Sequence, residues 1–153
     1  MTAEFGQHLT KAQIESIIPH RAPFIFLDEA REVVFGKRAV GVINDVSVHS
    51  FLSGHFPGFP VMPGALLVEA LAEVGAVAVL GMPENRGKIA MLTGLDGWKF
   101  RKPALPEHVV LLEANITALR SNYGKGHGKA ISEDALLAEG DLSFAIVDRP
   151  KGL

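Results

Sequence analysis

Ala65 to Leu80 is apolar on every side except for two glutamates, Glu69 and Glu73. A helix at the surface of a globular protein shows a single apolar stripe, whereas one that is apolar all round has to be surrounded. The segment is too long for a buried strand. A membrane span needs about 20 apolar residues and strongly disfavours two carboxylates in its interior. The segment therefore predicts one long central helix, and the rest of the chain has to supply what encloses it.

Several strands are available for that. Phe24-Ile25-Phe26-Leu27 is a compact apolar run, followed by Val33-Val34-Phe35 and Ala39-Val40-Gly41-Val42-Ile43, with a tight turn at Phe35-Gly36-Lys37. Ile89 to Phe100 reads as a strand in which Gly94 and Gly97 mark bulges or close approaches. In Val109 to Leu119, Val110, Leu112, Ala114, Ile116 and Ala118 alternate with polar residues. In Leu137 to Val147, Ala138, Leu142, Phe144 and Ile146 do the same. Gly124 to Gly128 and Ser132-Glu133-Asp134 read as turns. Near the start, Thr10 with Gln13 forms a capping-box pattern, with Leu9 and Ile14 as a staple, and Pro19 keeps that helix short. The sum is an α+β domain, an antiparallel sheet packed on one long helix.

The 153 residues are expected to form a single domain over 1–153, and 48% apolar composition is enough for a real core. A net charge of −2 without a run of like charges argues against a broad nucleic-acid surface. The absence of cysteine excludes disulfides and thiolate metal sites. The amino-terminal stretch Met1 to His8 lacks a basic region followed by an apolar run, so the expectation is a cytoplasmic protein with no membrane span.

The chemistry concentrates in Gly54-His55-Phe56-Pro57-Gly58-Phe59-Pro60-Val61-Met62-Pro63-Gly64, which runs straight into the long helix. His55 sits in a loop with little freedom, and a neutral imidazole is the side chain best suited to accept a proton near neutral pH. Taken alone, a loop histidine packed on Phe56 is the commoner case. Pro63-Gly64 is a favoured helix start, whose free N–H groups would stabilise a carbonyl oxygen gaining charge. Glu69 follows in the next turn or two, where desolvation should favour its protonated form and make it a general acid. Glu73 lies at i+4, and two close carboxyls in a dry place tend to share one proton. A buried polar pair that only fixes packing is the plain alternative. His8, His20, His49, His108 and His127 have no metal-ligand spacing, and Ser47, Ser50 and Ser53 lack a nucleophile elbow. No dinucleotide or phosphate-loop fingerprint occurs. Trp98-Lys99-Phe100-Arg101-Lys102-Pro103 is the one local basic cluster.

At these residues the chain resembles the (3R)-3-hydroxyacyl-acyl-carrier-protein dehydratases of bacterial fatty-acid synthesis. The resemblance rests on Pro19-His20-Arg21-Ala22-Pro23-Phe24 with Asp28, on Gly54 to Gly64 with Leu67 to Ala72, and on Thr93 to Pro103. It implies the hot-dog fold, an antiparallel sheet wrapped around one long buried helix. It also implies that His55 takes the C2 proton, Glu69 protonates the leaving 3-hydroxyl, and the Gly64 N–H polarises the thioester carbonyl. Pro63 and Phe56 would contact substrate. No metal or organic cofactor is called for. The implied partner is an acidic acyl carrier protein, docking on Lys99, Arg101 and Lys102. The implied assembly is a homodimer that mixes His and Glu from different chains, or a trimer of such dimers.

The chain departs from the family in three places. Glu73 stands where Gln is usual, Ile89-Ala90-Met91-Leu92 replaces a more aromatic stretch, and Arg120 to Ala135 fits loosely. Two other functions share the fold: a hot-dog thioesterase, which does not need the His-Phe-Pro-Gly loop, and a non-catalytic acyl-binding or assembly subunit. Isomerising relatives typically carry Asp at the Glu69 position.

Overall fold

The long apolar segment is a helix, and a seven-stranded antiparallel sheet packs around it. The computed structural model describes residues 6–153; Met1 to Phe5, part of the stretch searched for a targeting signal, lie outside the described residues. In chain order the elements are β1 (Gln7–Thr10), α1 (Lys11–Ile17), β2 (Glu29–Val34), β3 (Arg38–Ile43), α2 (Gly64–Leu80), β4 (Lys88–Phe100), β5 (Val110–Arg120), β6 (Tyr123–Ser132) and β7 (Ala135–Asp148). The sheet runs β1-β2-β3-β5-β6-β7-β4, which leaves β1 and β4 as edges. Among the described residues no helix is long and apolar enough to cross a membrane.

Local signals set the short elements. Thr10 caps α1: its hydroxyl accepts the Gln13 N–H at 3.3 Å, and the Gln13 side chain accepts the Thr10 N–H at 2.8 Å. Ile18, extended ahead of Pro19, ends the helix. Leu9 and Ile14 are both buried in the core. Between β2 and β3 the turn closes through Lys37 N–H to Val34 C=O at 2.9 Å, with Gly36 at φ +84. Bulges fall between Leu92 and Gly94 and between Asp96 and Lys99 of β4, at the two glycines expected to mark them.

Three expectations are corrected. Phe24 to Leu27 is not a strand, because β2 begins at Glu29. The Phe26 N–H goes to the Glu73 carboxyl at 2.9 Å and not to a neighbouring strand. Gly124 to Gly128 is not a turn but the body of β6. Its inward positions are Gly124, Gly126, Gly128 and Ala130, and a Cβ on Gly128 would lie 3.3 Å from Leu71 of α2. These glycines thin the sheet where the helix and the Phe144 ring come close. Finally, Ala118 is exposed and Leu119 packs on the core, because a bulge between Ile116 and Ala118 shifts the alternation of β5.

The core is α2 against the concave face of the sheet, with contacts to β2 through β7. Leu67, Leu71, Val74, Val77 and Leu80 are almost fully buried. One stripe is less covered: Ala65, Glu69, Ala72 and Gly75, at helical spacing. Gly41 of β3 fits flat beneath the helix, and a Cβ there would stand 2.4 Å from Val74. Gly41→Ala is expected to lower the unfolding free energy by about 1–3 kcal/mol through overpacking. Gly75→Ala, with no neighbouring side chain in the way, is expected to raise it by about 0.5–1 kcal/mol. Urea denaturation of the two variants checks both signs.

Candidate active site

The loop before α2 is built from short-range hydrogen bonds. Single turns of 3-10 helix occupy Val46–Val48 and Ser50–Gly54. Asp45 anchors them by accepting from the Ser47 N–H at 2.9 Å, the Ser47 hydroxyl at 2.7 Å and the Glu107 N–H at 3.0 Å. These donors, the Glu107 N–H foremost, hold its carboxyl below the usual range.

His55 follows. Its carbonyl accepts the Val61 N–H at 2.9 Å, and its Nδ1 lies 2.9 Å from the Val61 carbonyl. A carbonyl oxygen only accepts, so Nδ1 carries the proton and Nε2 keeps the basic lone pair. The Phe56 ring stacks on the imidazole with centroids 4.2 Å apart. Phe56 and Phe59 exchange two backbone hydrogen bonds of 2.8 Å, which closes the loop.

Pro63 caps α2, and its carbonyl accepts the N–H groups of Leu66 at 2.9 Å and Leu67 at 3.1 Å. The N–H groups of Gly64 and Ala65 have no partner among the described residues. They are the orphan donors of a helix start, with the positive end of the helix dipole behind them. A Cβ on Gly64 would fall 2.8 Å from the Phe100 ring, so any larger residue would have to displace that ring. His55, Val61, Pro63, Gly64, Phe100 and Lys102 line a cleft of about 350 Å³.

Glu69 opens into a different cleft. That space, about 490 Å³, is lined by Ala65, Val68, Glu69, Leu92, Leu95, Trp98 and Phe100. Within one chain, then, His55 and Glu69 face separate cavities, and Phe100 borders both. The burial expected of Glu69 falls on Glu73 instead. The Glu69 side chain keeps 25% exposure and lies 3.5 Å from His20 Nε2, an ion pair when that ring is protonated. Glu73 is wholly buried. Four residues carry it about 40° further round the helix, off the open stripe and toward Phe26. Burial pushes its carboxyl up to about 9, against the opposing pull of the Phe26 N–H.

The basic cluster is divided. Arg101 and Lys102 stand at the His55 cleft, and Arg101 pairs with Glu139 at 3.3 Å. Lys99 borders neither cleft and sits opposite Glu139 in the sheet. Phe56 backs the imidazole and is not part of the cleft wall. His20, Glu69 and Glu73 bring ligand-type atoms within 4.8 Å of one another.

A family model for the FabA-like domain matches residues 18–141. The chain belongs to that family. It is a dehydratase, a lyase of the fatty-acid-synthesis class, with the hot-dog fold. It is 48% identical over 136 residues to the 3-hydroxyacyl-acyl-carrier-protein dehydratase FabZ of Thermomicrobium roseum, covering 89% of this chain and 91% of that protein. It is 48% identical to the enzyme of the same name from Herpetosiphon aurantiacus, covering 92% and 99%. Among solved structures, a chain of the dehydratase heterocomplex ApeI:P from Xenorhabdus doucetiae superposes with a TM-score of 0.75 at 17% identity, over 90% of this chain and 91% of that one. At that identity the likeness concerns the fold alone.

In this family member, spacing along the chain does not reveal His20 as a neighbour of Glu69 or Phe100 as the wall common to both clefts. They meet the site only through tertiary packing, although His20 belongs to the Pro-His-Arg motif and Phe100 to the basic cluster. Glu73 has a consequence for stability. The folded chain holds a proton that the unfolded chain gives up above its ordinary 4.5, so stability contributed at this position falls as pH rises from there to about 9. Glu73→Gln removes that titration. The melting temperature of the variant minus that of the wild type is expected to grow steadily across this window, which thermal melts in a pH series would show.

Proposed function

We propose that the chain removes water from (3R)-3-hydroxyacyl thioesters carried on acyl carrier protein, giving trans-2-enoyl thioesters in fatty-acid elongation. The observation that carries this is His55, whose Nδ1 is committed to the Val61 carbonyl beside the free N–H of Gly64. Nε2 takes the proton from C2 of the substrate. The Gly64 N–H and the dipole of α2 stabilise charge on the thioester oxygen as that bond breaks. The electron pair forms the C2=C3 double bond and expels the 3-hydroxyl, which receives the proton of Glu69 and leaves as water.

His55 and Glu69 line separate clefts, so one complete site needs a second copy of the chain. The edge strand β4 supports such pairing. It is 13 residues long, and Met91, Leu92, Leu95 and Phe100 are all exposed on it. An unpaired apolar edge of that length is a template for another strand. Pairing two copies there buries the wall that both clefts have in common. Arg101 and Lys102 at the His55 cleft then suit an acidic carrier.

Mass spectrometry of a 3-hydroxybutyryl group on its carrier tests the reaction. Wild type is expected to lose water from it. His55→Ala and Glu69→Gln are each expected to lose about 10²–10⁴-fold in rate; release of free acid by the wild type would instead make it a thioesterase. Mixing the two inactive variants tests the assembly. Sites built across a two-fold should regain about a quarter of wild-type activity after subunit exchange, since half of the dimers are mixed and each holds one intact site. Sites within one chain would regain none.

A further inference from the structure

One turn along α2 from Glu69 lies a carboxyl with an unclaimed oxygen. Glu73 is wholly buried; its Oε1 accepts the Phe26 N–H at 2.9 Å, and its Oε2 has no partner. A carboxyl oxygen of Glu69 and a ring nitrogen of His20 both lie within 4.8 Å of the Glu73 carboxyl, and His20 Nδ1 is likewise buried without a partner. A buried oxygen without a partner is costly, and an ionised one more so. The titratable groups around Glu73 are Glu69 on its own helix, His20 in the segment after α1, and Lys11 at the start of α1. His20 is already turned to Glu69 through Nε2.

We propose that Glu73 is a positioning residue which, fixed on the Phe26 N–H through Oε1, donates a hydrogen bond from Oε2 to the Glu69 carboxyl and holds it toward the leaving hydroxyl only while Glu73 keeps its own proton. This rests on the roles proposed above for His55 and Glu69. The proton delivered to the hydroxyl is that of Glu69, and Glu73 retains its own throughout. Its hydrogen bond favours the carboxylate that Glu69 becomes as water departs. The burial that pushes Glu73 up to about 9 keeps it a donor at neutral pH. Loss of its proton in alkali would set two negative charges against each other and release Glu69.

The test compares wild type with Glu73→Gln and Glu73→Met, by kinetics and by infrared spectroscopy of the protein labelled with carboxyl-¹³C glutamate. The wild type should show a protonated-carboxyl band at pH 7 that titrates near 9, is absent from Glu73→Gln and persists in Glu69→Gln. In kinetics, kcat of the wild type should fall through an alkaline ionisation that Glu73→Gln lacks. At neutral pH the amide variant should stay within a few-fold of wild type. Glu73→Met should lose about 10- to 100-fold in kcat with little change in KM, the size of a hydrogen bond to a charged group.

A wild type without the protonated band, or a band that vanishes in Glu69→Gln and not in Glu73→Gln, would overturn the proposal. So would a Glu73→Met enzyme with wild-type kcat and pH profile. If the methionine variant fails to fold, the band and the pH profile of the amide variant still decide. Wild-type turnover is read first, so a wrong reaction shows as no water lost and overturns both proposals. A wrong role for Glu73 shows as normal turnover that ignores the substitution.

Discussion

Everything in this molecule depends on how closely α2 lies against the sheet. The approach is set by residues with almost no side chain: Gly41 under Val74, Gly128 under Leu71, and Gly81 at the far end of the helix under the Phe35 ring. At Gly41 and Gly81 a methyl group would collide with a neighbour, and at Gly128 it would press on Leu71. Close packing of this kind runs along the whole helix, which touches β2 through β7. It also determines what stays open. A helix enclosed this tightly has one stripe left for solvent and ligand, and Glu69 stands on it.

The enclosure also separates the chemistry of the two glutamates. Identical side chains one turn apart meet different surroundings, since Glu69 keeps contact with the cleft and His20 while Glu73 is carried inside. Desolvation rather than any partner sets the state of the inner one, and its Oε1 accepts the Phe26 N–H from a segment that lies outside the sheet. At the other end of the site the loop is built for rigidity. Val61 holds His55 at both its carbonyl and its ring, which leaves a single nitrogen to act as base.

Much of the fold was legible because its signals are local. The capping box at Thr10, the Pro63-Gly64 start of α2, the bulges at Gly94 and Gly97 and the alternation of β7 each depend on residues within a few positions of one another. The structure departs from the local signals where a distant neighbour prevails over them. The glycines of 124–128 suggest turns by composition, yet they lie in β6 because the helix and Phe144 need the space above them. Alternation in β5 fails past Ile116 because a bulge inserts one residue, and a single inserted residue turns every later side chain over.

The amino-acid sequence alone determined the enclosed helix, the antiparallel strands and the order of His55 in its loop, Gly64 at the helix start and Glu69 within it. Each is fixed by periodicity, turn chemistry or spacing along one continuous stretch. Only the tertiary structure decided that Glu73 and not Glu69 is the buried carboxyl, that His20 joins them, and that the two proposed catalytic groups face different clefts divided by Phe100. Desolvation and cavity walls are produced by residues far apart in the chain, and their effects exist only once the sheet has closed around the helix.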